Sequence, residues 1–415
     1  MLKIAINLNR EYVGGITSSN INLIMHLYRA DYEFVGLELN NKMYMKGPAI
    51  FRNFAPEIFD HHIINVHHLS LKNILVKAKT IKDIEKAYHE PIRVIRDILK
   101  EVKPDLVLLS GTNYVPWLIS IAAKREKIPI ALWYAGILSR ETQNKSDHAR
   151  KLFASLEKSI VSRATHVIFP SQICKDVVEA EVTKSKIKKS YVIPNPVASI
   201  FTDPCVGEYS MERNIAAVGR YTKIKNFDAF FELHKELLKQ DWKHNASFVT
   251  NKDANIENPP KTIELLAPMS PEELKKFYLS QCLIVCPSFF ETFGNVPMEA
   301  ACLGVPVLVS DKMGCAEVLK KVGLENMVIS FDNIAEVATR VKQLCGQSIL
   351  PKQLNALKAL LDNRLVSEKI NTILINTAKN KKTASTNKVN KVEKVLPQTP
   401  PVPPTPPVLP LPPVK

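Results

Sequence analysis

Two glutamates, Glu291 and Glu299, stand with seven residues between them in a stretch that also contains Gly294 and Pro297. Carboxylates accept hydrogen bonds from hydroxyl groups and repel phosphates. The start of a helix has the opposite preference, because its free N–H groups and partial positive charge bind phosphate. Two carboxylates beside a helix start therefore predict a ligand that carries both hydroxyls and phosphate, such as a sugar nucleotide.

The elements around these glutamates form one strand–loop–helix–strand unit. Residues 283–285 and 305–309 are short apolar, β-branched runs that predict strands buried on both faces. Pro297 suits the first turn of the helix between them, and Gly304 suits the position just past its end. Gly294 leaves room for a ligand to approach the backbone. In a parallel sheet this unit places the helix start at the carboxyl edge, where open α/β sheets bind ligands.

The same stretch resembles the signature of the family 4 glycosyltransferases of the GT-B fold. The resemblance lies in Glu291, in Phe293-Gly294, and in Glu299 with the Ala-x-x-x-Gly-x-Pro-Val that follows it. It implies that Glu291 contacts the hydroxyls of the donor sugar and that Glu299 contacts the ribose of the nucleotide. The other donor-binding residues predicted at this helix start are Phe293, Gly294, Asn295 and Val296.

A second motif, Gly219-Arg220 followed by Lys225-Asn226, resembles the family's diphosphate-binding segment. Glycosyl transfer expels a nucleoside diphosphate, and two fixed cations can stabilise that developing charge. We therefore predict Glu291, Arg220 and Lys225 as the catalytic set, with no metal and no cofactor besides the nucleotide-sugar substrate.

The resemblance also implies contacts with the rest of the donor. Gly15, in a Gly-Gly turn after a predicted first strand, helps to hold the diphosphate across the cleft, while Pro268 and Met269 meet the base. The N-terminal half departs from the family at residues 128–136, where the family commonly ends a strand in histidine and this chain has Trp133-Tyr134-Ala135. This departure leaves the identity of the sugar open. Arg140 and Glu141, just beyond, are candidates to reach into the cleft.

The predicted fold class is α/β, a GT-B fold of two Rossmann-like domains facing across a cleft, with a disordered Pro-rich tail. The chain divides into the following parts: an N-terminal Rossmann-like acceptor domain at 1–197, a linker at 198–212, a C-terminal Rossmann-like donor-binding domain at 213–350, helices that cross back to the N-terminal domain at 351–378, and a disordered basic and Pro-rich tail at 379–415. Such a tail cannot bury a core, and it either docks a proline-recognising partner, acts as a spacer or is dispensable.

The chain is basic, with a formal net charge of +15 and a pI near 9.3. No nucleic-acid-binding motif accompanies this charge, so an anionic membrane is the expected partner rather than nucleic acid. Residues 70–103 combine lysines and arginines with a helical apolar pattern that Pro91 is expected to divide into two helices. These are either ordinary surface helices or an amphipathic face that lies on anionic lipid.

The seven cysteines are an odd number, several lie in apolar runs, and they are expected to be reduced thiols of a cytosolic protein. Cys282 and Cys286 have no second pair with zinc-site spacing. The chain has no run of eighteen apolar residues, and its first residues do not form a signal peptide. The predicted location is cytoplasmic, with peripheral contact at the inner face of the plasma membrane.

The function that this pattern favours is retaining transfer of a hexosyl or related sugar from a UDP- or GDP-linked donor to a hydroxyl acceptor. The acceptor would be a glycan or a lipid-linked molecule, in polysaccharide or glycolipid biosynthesis of the bacterial surface type. Two alternatives stay open. A GT-B fold can house a sugar-nucleotide epimerase, and a degenerate subunit could bind a partner without catalysis.

Overall fold

The structure is a computed structural model and describes residues 2–8, 15–28, 32–40, 59–66, 69, 71–142, 145–203, 212–251, 256 and 259–386. Two parallel β-sheets frame the molecule, one of seven strands in the N-terminal half and one of six strands in the C-terminal half. Helices cover the sheets, as the burial of short strands on both faces requires. The predicted α/β fold of two Rossmann-like domains is confirmed.

The N-terminal domain alternates strands with helices. Its strands are β1 (Lys3–Leu8), β2 (Glu33–Asn40), β3 (Phe59–Asn65), β4 (Leu106–Ser110), β5 (Ile130–Trp133), β6 (His166–Phe169) and β7 (Ser190–Val192). Its helices are α1 (Gly15–Tyr28), α2 (Leu71–Lys77), α3 (Ile81–Ala87), α4 (His89–Val102), α5 (Tyr114–Arg125), α6 (Leu138–Glu141), α7 (Asp147–Arg163) and α8 (Gln172–Val177), the last continuing into a π-helical turn at Val178–Thr183.

The C-terminal domain repeats this alternation after a short helix, α9 (Ser199–Thr202), in the predicted linker. Its strands are β8 (Asn214–Val218), β9 (Asn245–Val249), β10 (Ile263–Leu266), β11 (Leu283–Cys286), β12 (Val307–Ser310) and β13 (Val328–Ile329). Its helices are α10 (Phe227–Lys239), α11 (Pro271–Leu279), α12 (Asn295–Cys302), α13 (Cys315–Lys321) and α14 (Ile334–Leu344), and α15 (Pro351–Leu361) and α16 (Asn363–Thr386) follow them.

The order of the strands fixes where a ligand can bind. The N-terminal sheet has the order β3-β2-β1-β4-β5-β6-β7, and the C-terminal sheet has the order β10-β9-β8-β11-β12-β13. In each sheet the chain first adds strands on one side of the first strand and then crosses to add the rest on its other side. This change of direction leaves a crevice outside the carboxyl ends of the first strand and of the strand added next to it after the crossing. These strands are β1 and β4 in one domain and β8 and β11 in the other.

The last helix, α16, belongs to the core of the N-terminal domain. Val366, Ile370 and Leu374 recur every four residues on one side of α16 and are buried in the same cluster as Ile4 and Ile6 of β1. The C-terminal segment therefore packs against the domain in which the chain began. Helix α16 runs to Thr386, past the residue at which the tail was predicted to start, and the Pro-rich remainder lies outside the described residues.

The basic segment at 70–103 differs from its prediction. It forms three helices rather than two, because Thr80 begins α3 with a capping box closed by Asp83, and Pro91 lies within the first turn of α4, where proline is tolerated. The apolar face of α3 and α4 does not face outward. Ile84, Ile92, Ile95 and Leu99 are all buried in the domain core and are not available to lipid, whereas Val76 of α2 is exposed.

The cysteine prediction was wrong for one pair. Cys282, directly before β11, and Cys345, directly after α14, form a disulfide, with their Cα atoms 5.3 Å apart. They are 63 residues apart in sequence, and only the packing of α14 beside the sheet brings them together. Cys174, Cys286, Cys302 and Cys315 are free and buried, as expected of core thiols. No helix of the described residues is long and apolar enough to cross a membrane.

Candidate active site

A cavity of about 410 Å³ lies between the two domains, at the carboxyl ends of the strands beside which the winding reverses. This volume is within the range of small-molecule sites. Seven lining residues come from the N-terminal domain: Asn20, Ser110, Trp133, Ala135, Ile137, Glu141 and Asn195. The C-terminal domain contributes Val218, Arg220, Thr222, Ile224, Lys225, Phe227, Cys286, Ser288 and residues 290–296.

A bonded cluster of polar side chains forms the C-terminal wall of the cavity. Lys225 Nζ lies 2.6 Å from Glu291 Oε1, and Ser288 Oγ donates to the same oxygen at 2.9 Å. Arg220 lines the same cavity with an exposed side chain. The structure thus brings together the three residues predicted as catalytic. With two cations and one carboxylate, this wall offers positive charge to an anion and an acceptor to a hydroxyl.

Backbone bonds hold the two loops of this wall in register. The β8–α10 loop ends in a short 3₁₀ turn over Lys223–Lys225, after which Asn226 adopts a left-handed conformation with φ 54°. The Asn226 side chain donates to the carbonyl of Pro287 at 3.0 Å, and Phe289 N donates to the carbonyl of Ile224 at 2.9 Å. Lys225 is therefore fixed against the loop that carries Glu291.

The start of α12 forms the floor between these loops. Gly294 precedes the helix with φ 107° and supplies no side-chain cap, so the first amides of α12 keep their capacity to bind a ligand. The need for glycine here has a second cause. A Cβ at Gly294 would lie 2.7 Å from Met313 Cε and 3.0 Å from Cys315 Sγ, so a larger residue would clash as well as strain the backbone.

Glu299 lies beneath this floor and is not among the described residues that line the cavity. Tyr278 Oη donates to Glu299 Oε2 at 3.1 Å. Burial raises the pKa of Glu299 to about 7, and the Tyr278 hydrogen bond opposes that rise. The carboxyl group therefore takes up a proton close to neutral pH.

Three other predicted donor contacts also lie apart from the described cavity lining. Pro268 and Met269 follow β10, the edge strand of the C-terminal sheet, and Pro268 is exposed. Gly15 is the first residue of α1, and the turn before it lies outside the described residues. Phe293, Gly294, Asn295 and Val296 do line the cavity, although Phe293 itself is almost fully buried.

A buried carboxylate, Glu157 of α7, organises the N-terminal wall. Glu157 Oε1 accepts from Tyr134 Oη at 2.5 Å and from Leu138 N at 2.9 Å, and Glu157 Oε2 accepts from Ser139 N at 3.1 Å. It thereby caps the start of α6 from another helix. Burial raises the pKa of Glu157, while these hydrogen bonds lower it. Tyr134, in the region where the family commonly has histidine, thus points into the core, whereas Trp133 and Ala135 line the cavity.

The two walls are joined by hydrogen bonds between the domains. Thr292 Oγ1 donates to the carbonyl of Ala135 at 2.8 Å, and Ser171 Oγ donates to the carbonyl of Thr292 at 2.7 Å. Glu317 of α13 accepts from the amides of Gln172 and Ile173, at 2.8 and 2.6 Å, and so caps α8 of the other domain. We call Ser171, Thr292 and Glu317 the interdomain clasp.

Sequence reasoning missed part of this site. Asn195 Nδ2 donates to Asn295 Oδ1 at 3.1 Å across the cleft, and Ser288 supports Glu291, but neither had an assigned role. Ser171, which also had no role assigned between the domains, caps its own helix as well by accepting from Cys174 N. The glycine at position 314 is an indirect signal of the contact between Ser171 and Thr292, because a Cβ at Gly314 would collide with Ser171 and with the carbonyl of Thr292.

Comparison with known proteins agrees with this architecture. A model described as "Glycosyl transferases group 1" matches residues 204–358, and one described as "Glycosyltransferase Family 4" matches residues 13–199. The two matches divide the chain in the same way as the two sheets. The chain belongs to the family 4 glycosyltransferases and has the GT-B fold, as its sequence motifs predicted.

Individual relatives are distant. An uncharacterized 41.2 kDa protein in the cps region of Klebsiella pneumoniae is 24% identical over 45% of this chain and 54% of its own length. A D-inositol 3-phosphate glycosyltransferase of Nocardia farcinica is 28% identical over 32% of each chain. This chain therefore spans about half or less of the length of these curated relatives. The structure of Anabaena HepE, in complex with UDP-glucose, superposes with a TM-score of 0.66 and 15% identity, covering 91% of this chain and all of HepE.

Proposed function

We propose that this protein transfers a sugar, with retention of anomeric configuration, from a nucleotide-diphosphate sugar to a hydroxyl acceptor. The observation that carries the proposal is the cluster of Arg220, Lys225 and Glu291 at one cavity between the domains. The uncapped start of α12 adds amides that can bind phosphate. The fold and family, together with HepE, whose solved complex contains UDP-glucose, support a nucleotide-sugar donor.

The reaction exchanges one bond at the anomeric carbon. The bond from this carbon to the β-phosphate oxygen breaks, and a bond to the acceptor oxygen forms on the same face. The proton of the acceptor hydroxyl passes to the departing phosphate. Arg220 and Lys225 stabilise the charge that develops on the diphosphate, which is why we propose that no metal is required. Glu291 accepts a hydrogen bond from a donor-sugar hydroxyl, and Glu299 acts toward the ribose from beneath the floor.

Binding of the donor has a specific electrostatic consequence. Lys225 is paired with Glu291, so an arriving diphosphate competes with Glu291 for the lysine. Ser288, bonded to the same Glu291 oxygen, keeps the carboxylate in place when the lysine turns toward phosphate. The released acceptor capacity of Glu291 is then available to a sugar hydroxyl.

We further propose a glycan or lipid-linked acceptor, reached by a protein held peripherally on an anionic membrane at its cytoplasmic face. Because Ile84, Ile92, Ile95 and Leu99 of α3 and α4 are buried in the core, the support for membrane contact is the basic charge. Co-sedimentation with vesicles rich in anionic lipid should occur at low salt and disappear at high salt. Absence of binding at low salt would remove this part of the proposal.

The first test is a thermal-shift screen of UDP, GDP and their sugars, with and without EDTA, followed by anomeric analysis of the product by NMR. We expect a selective rise in Tm with one nucleotide that persists in EDTA, because bound ligand stabilises the folded state. The product should keep the anomeric configuration of the donor. A shift abolished by EDTA would contradict metal independence, and an inverted product would contradict retention.

The same measurements distinguish a transferase from the two alternatives, a sugar-nucleotide epimerase and a subunit that binds a partner without catalysis. An epimerase would convert the nucleotide sugar in the absence of any acceptor, whereas a transferase needs an acceptor for full turnover. No shift with any nucleotide would favour a degenerate subunit that binds a partner. The intact pairing of Lys225 with Glu291 argues for a working donor site.

A further inference from the structure

Glu141, the last residue of α6, is a carboxylate on the N-terminal wall of the cavity, opposite Glu291. Its side chain is accessible from the cleft. Among the described residues, it has no hydrogen-bond or ion-pair partner within bonding distance, whereas Glu291 has both Lys225 and Ser288. A carboxylate that is surrounded by a binding cavity and has no partner is available to a ligand.

The chain makes specific room for this carboxylate. Gly136 lies beneath it, and a Cβ on Gly136 would collide with Glu141 Oε1. Gly136 is not among the described residues with a positive φ. The need for glycine at this position is therefore explained by the space that the Glu141 carboxylate occupies and not by the backbone conformation. The absence of a side chain at Gly136 therefore lets the Glu141 carboxylate fold back over the loop that lines the cavity.

The adjacent residue, Arg140, is not among the described residues that line the cavity, and it holds α6 in place. Its guanidinium forms a two-pronged ion pair with Glu181 and lies 4.3 Å from the centroid of the Phe290 ring in the other domain. Glu157 fixes the other end of α6 through Leu138 N and Ser139 N. With both ends of α6 held, the position of Glu141 is determined by the fold.

The charges around Glu141 limit what it can bind. Desolvation by the walls of the cavity and the neighbouring Glu157 and Glu291 raise its pKa, and Arg220 and Lys225 lower it. Glu141 thus lies within electrostatic range of the cations assigned to the diphosphate, but a carboxylate repels phosphate and accepts hydrogen bonds from hydroxyls. It must therefore face the part of the substrate that carries hydroxyls, next to the bond that is exchanged.

We propose that Glu141 binds a hydroxyl group of the carbohydrate substrate from the N-terminal wall, opposite Glu291, and that Gly136 sets its position. This inference rests on the proposed transferase function. The hydroxyl belongs either to the transferred sugar or to the acceptor, and both present the same chemistry to a carboxylate. Glu141, expected from the sequence as a candidate to reach into the cleft, then acts as a substrate-binding residue.

The test compares E141A, E141Q and G136A with E101Q, a control that alters an exposed carboxylate of α4 outside the described cavity lining. The probes are UDP, GDP, their sugars, and octyl glucoside as a hydroxyl acceptor. We expect E141A to lower transfer at least tenfold while UDP or GDP affinity and Tm stay unchanged. E101Q should behave like the wild type.

The G136A variant displaces the carboxylate without removing it. Because only the end of a flexible side chain must move, G136A should fold normally and lose several-fold in rate. The double variant G136A/E141A should be no slower than E141A alone, since the two substitutions act on one interaction.

The outcomes separate the two sources of the hydroxyl. If it belongs to the donor, E141A weakens binding and hydrolysis of the nucleotide sugar but not binding of the free nucleotide. If it belongs to the acceptor, hydrolysis is unchanged and the KM for the acceptor rises. An active wild type with unaffected E141A overturns this inference alone, whereas a wild type that binds no nucleotide sugar overturns the proposed function itself.

Discussion

The two walls of the cavity are built in different ways. The C-terminal wall consists of two loops, and its polar residues bond to one another, as Lys225, Glu291 and Ser288 do. The N-terminal wall draws single residues from segments spread between Asn20 and Asn195, and the buried Glu157 holds part of it from behind. Chemistry common to all donors can be encoded in a short motif on each of two loops. Selection of a particular sugar or acceptor is left to a wall whose parts vary independently.

The substitution with the largest expected effect disrupts the C-terminal wall. Lys225→Ala removes a cation assigned to the departing diphosphate and leaves Glu291 without its ion pair. We expect kcat to fall about 100-fold, as for loss of one electrostatic stabiliser of a transition state. Steady-state release of nucleoside diphosphate measures this.

Lys223→Ala is the control for this experiment, because Lys223 is exposed in the same 3₁₀ turn but is not among the described cavity residues. It should retain the wild-type rate. Equal rates for the Lys225→Ala variant and the wild type, with both folded, would remove the assignment of the C-terminal wall to catalysis.

The second-largest effect is expected from a substitution of the buried carboxylate that supports the N-terminal wall. Glu157→Gln places an amide NH₂ against donors from Tyr134, Leu138 and Ser139, so at least one of them loses its acceptor. We expect a loss of about 2 kcal/mol in the free energy of unfolding and a roughly tenfold lower transfer rate. Urea denaturation and kinetics measure the two effects.

Glu101→Gln, on the exposed surface of α4, provides the comparison for Glu157→Gln. If the Glu157 variant were as stable and active as this control, the N-terminal wall would not depend on that carboxylate. Binding of free nucleotide should be nearly unchanged in both, because the donor diphosphate is assigned to the other wall.

A smaller effect is expected from a substitution in the interdomain clasp, which holds the two walls together. Glu317→Ala removes the cap that the C-terminal domain provides for α8. We expect kcat/KM to fall about fivefold, the equivalent of roughly 1 kcal/mol, with a larger radius of gyration in small-angle scattering. Saturating nucleotide sugar should restore the smaller radius.

Glu325→Ala, an exposed substitution in the same domain, should change neither quantity. An unchanged radius and rate in the Glu317 variant would mean that the remaining contacts, such as that between Thr292 and Ala135, suffice to hold the walls together.

The smallest effect concerns the floor beneath the C-terminal wall. Because burial raises the pKa of Glu299 to about 7, the folded protein binds this proton more tightly than the unfolded chain, whose value is near 4.5. The resulting stabilisation is fully present below about pH 4.5 and is lost as the pH rises through about 7. Between pH 5 and 8 the wild type should lose roughly 1–3 kcal/mol more than Glu299→Gln.

Urea denaturation of both proteins at several pH values measures this difference. Other groups titrate equally in the two proteins and cancel in the comparison. Parallel pH profiles would show that Glu299 has an ordinary pKa in the folded protein.

Predictions from sequence succeeded where a local motif marks the residues. The residues from Leu283 to Ser310 formed the expected strand, helix and strand, and Arg220, Lys225 and Glu291, each marked by the motif of its own loop, met at one cavity. They failed where no motif marks the partner. The disulfide between Cys282 and Cys345 and the direction of the apolar face of α4 both depend on which surface another element covers.

The sequence by itself determined the α/β alternation and the family, and it marked the residues of the C-terminal wall, because periodicity and glycines act within a few residues and each loop of this wall carries its own motif. Only the tertiary structure decided the N-terminal wall. Glu157 caps α6 from another helix, and Gly136 makes room for Glu141. The clasp of Ser171, Thr292 and Glu317 joins residues from opposite domains. Such contacts depend on how the elements and the two sheets are placed against each other. The spacing of residues along the chain does not encode this placement.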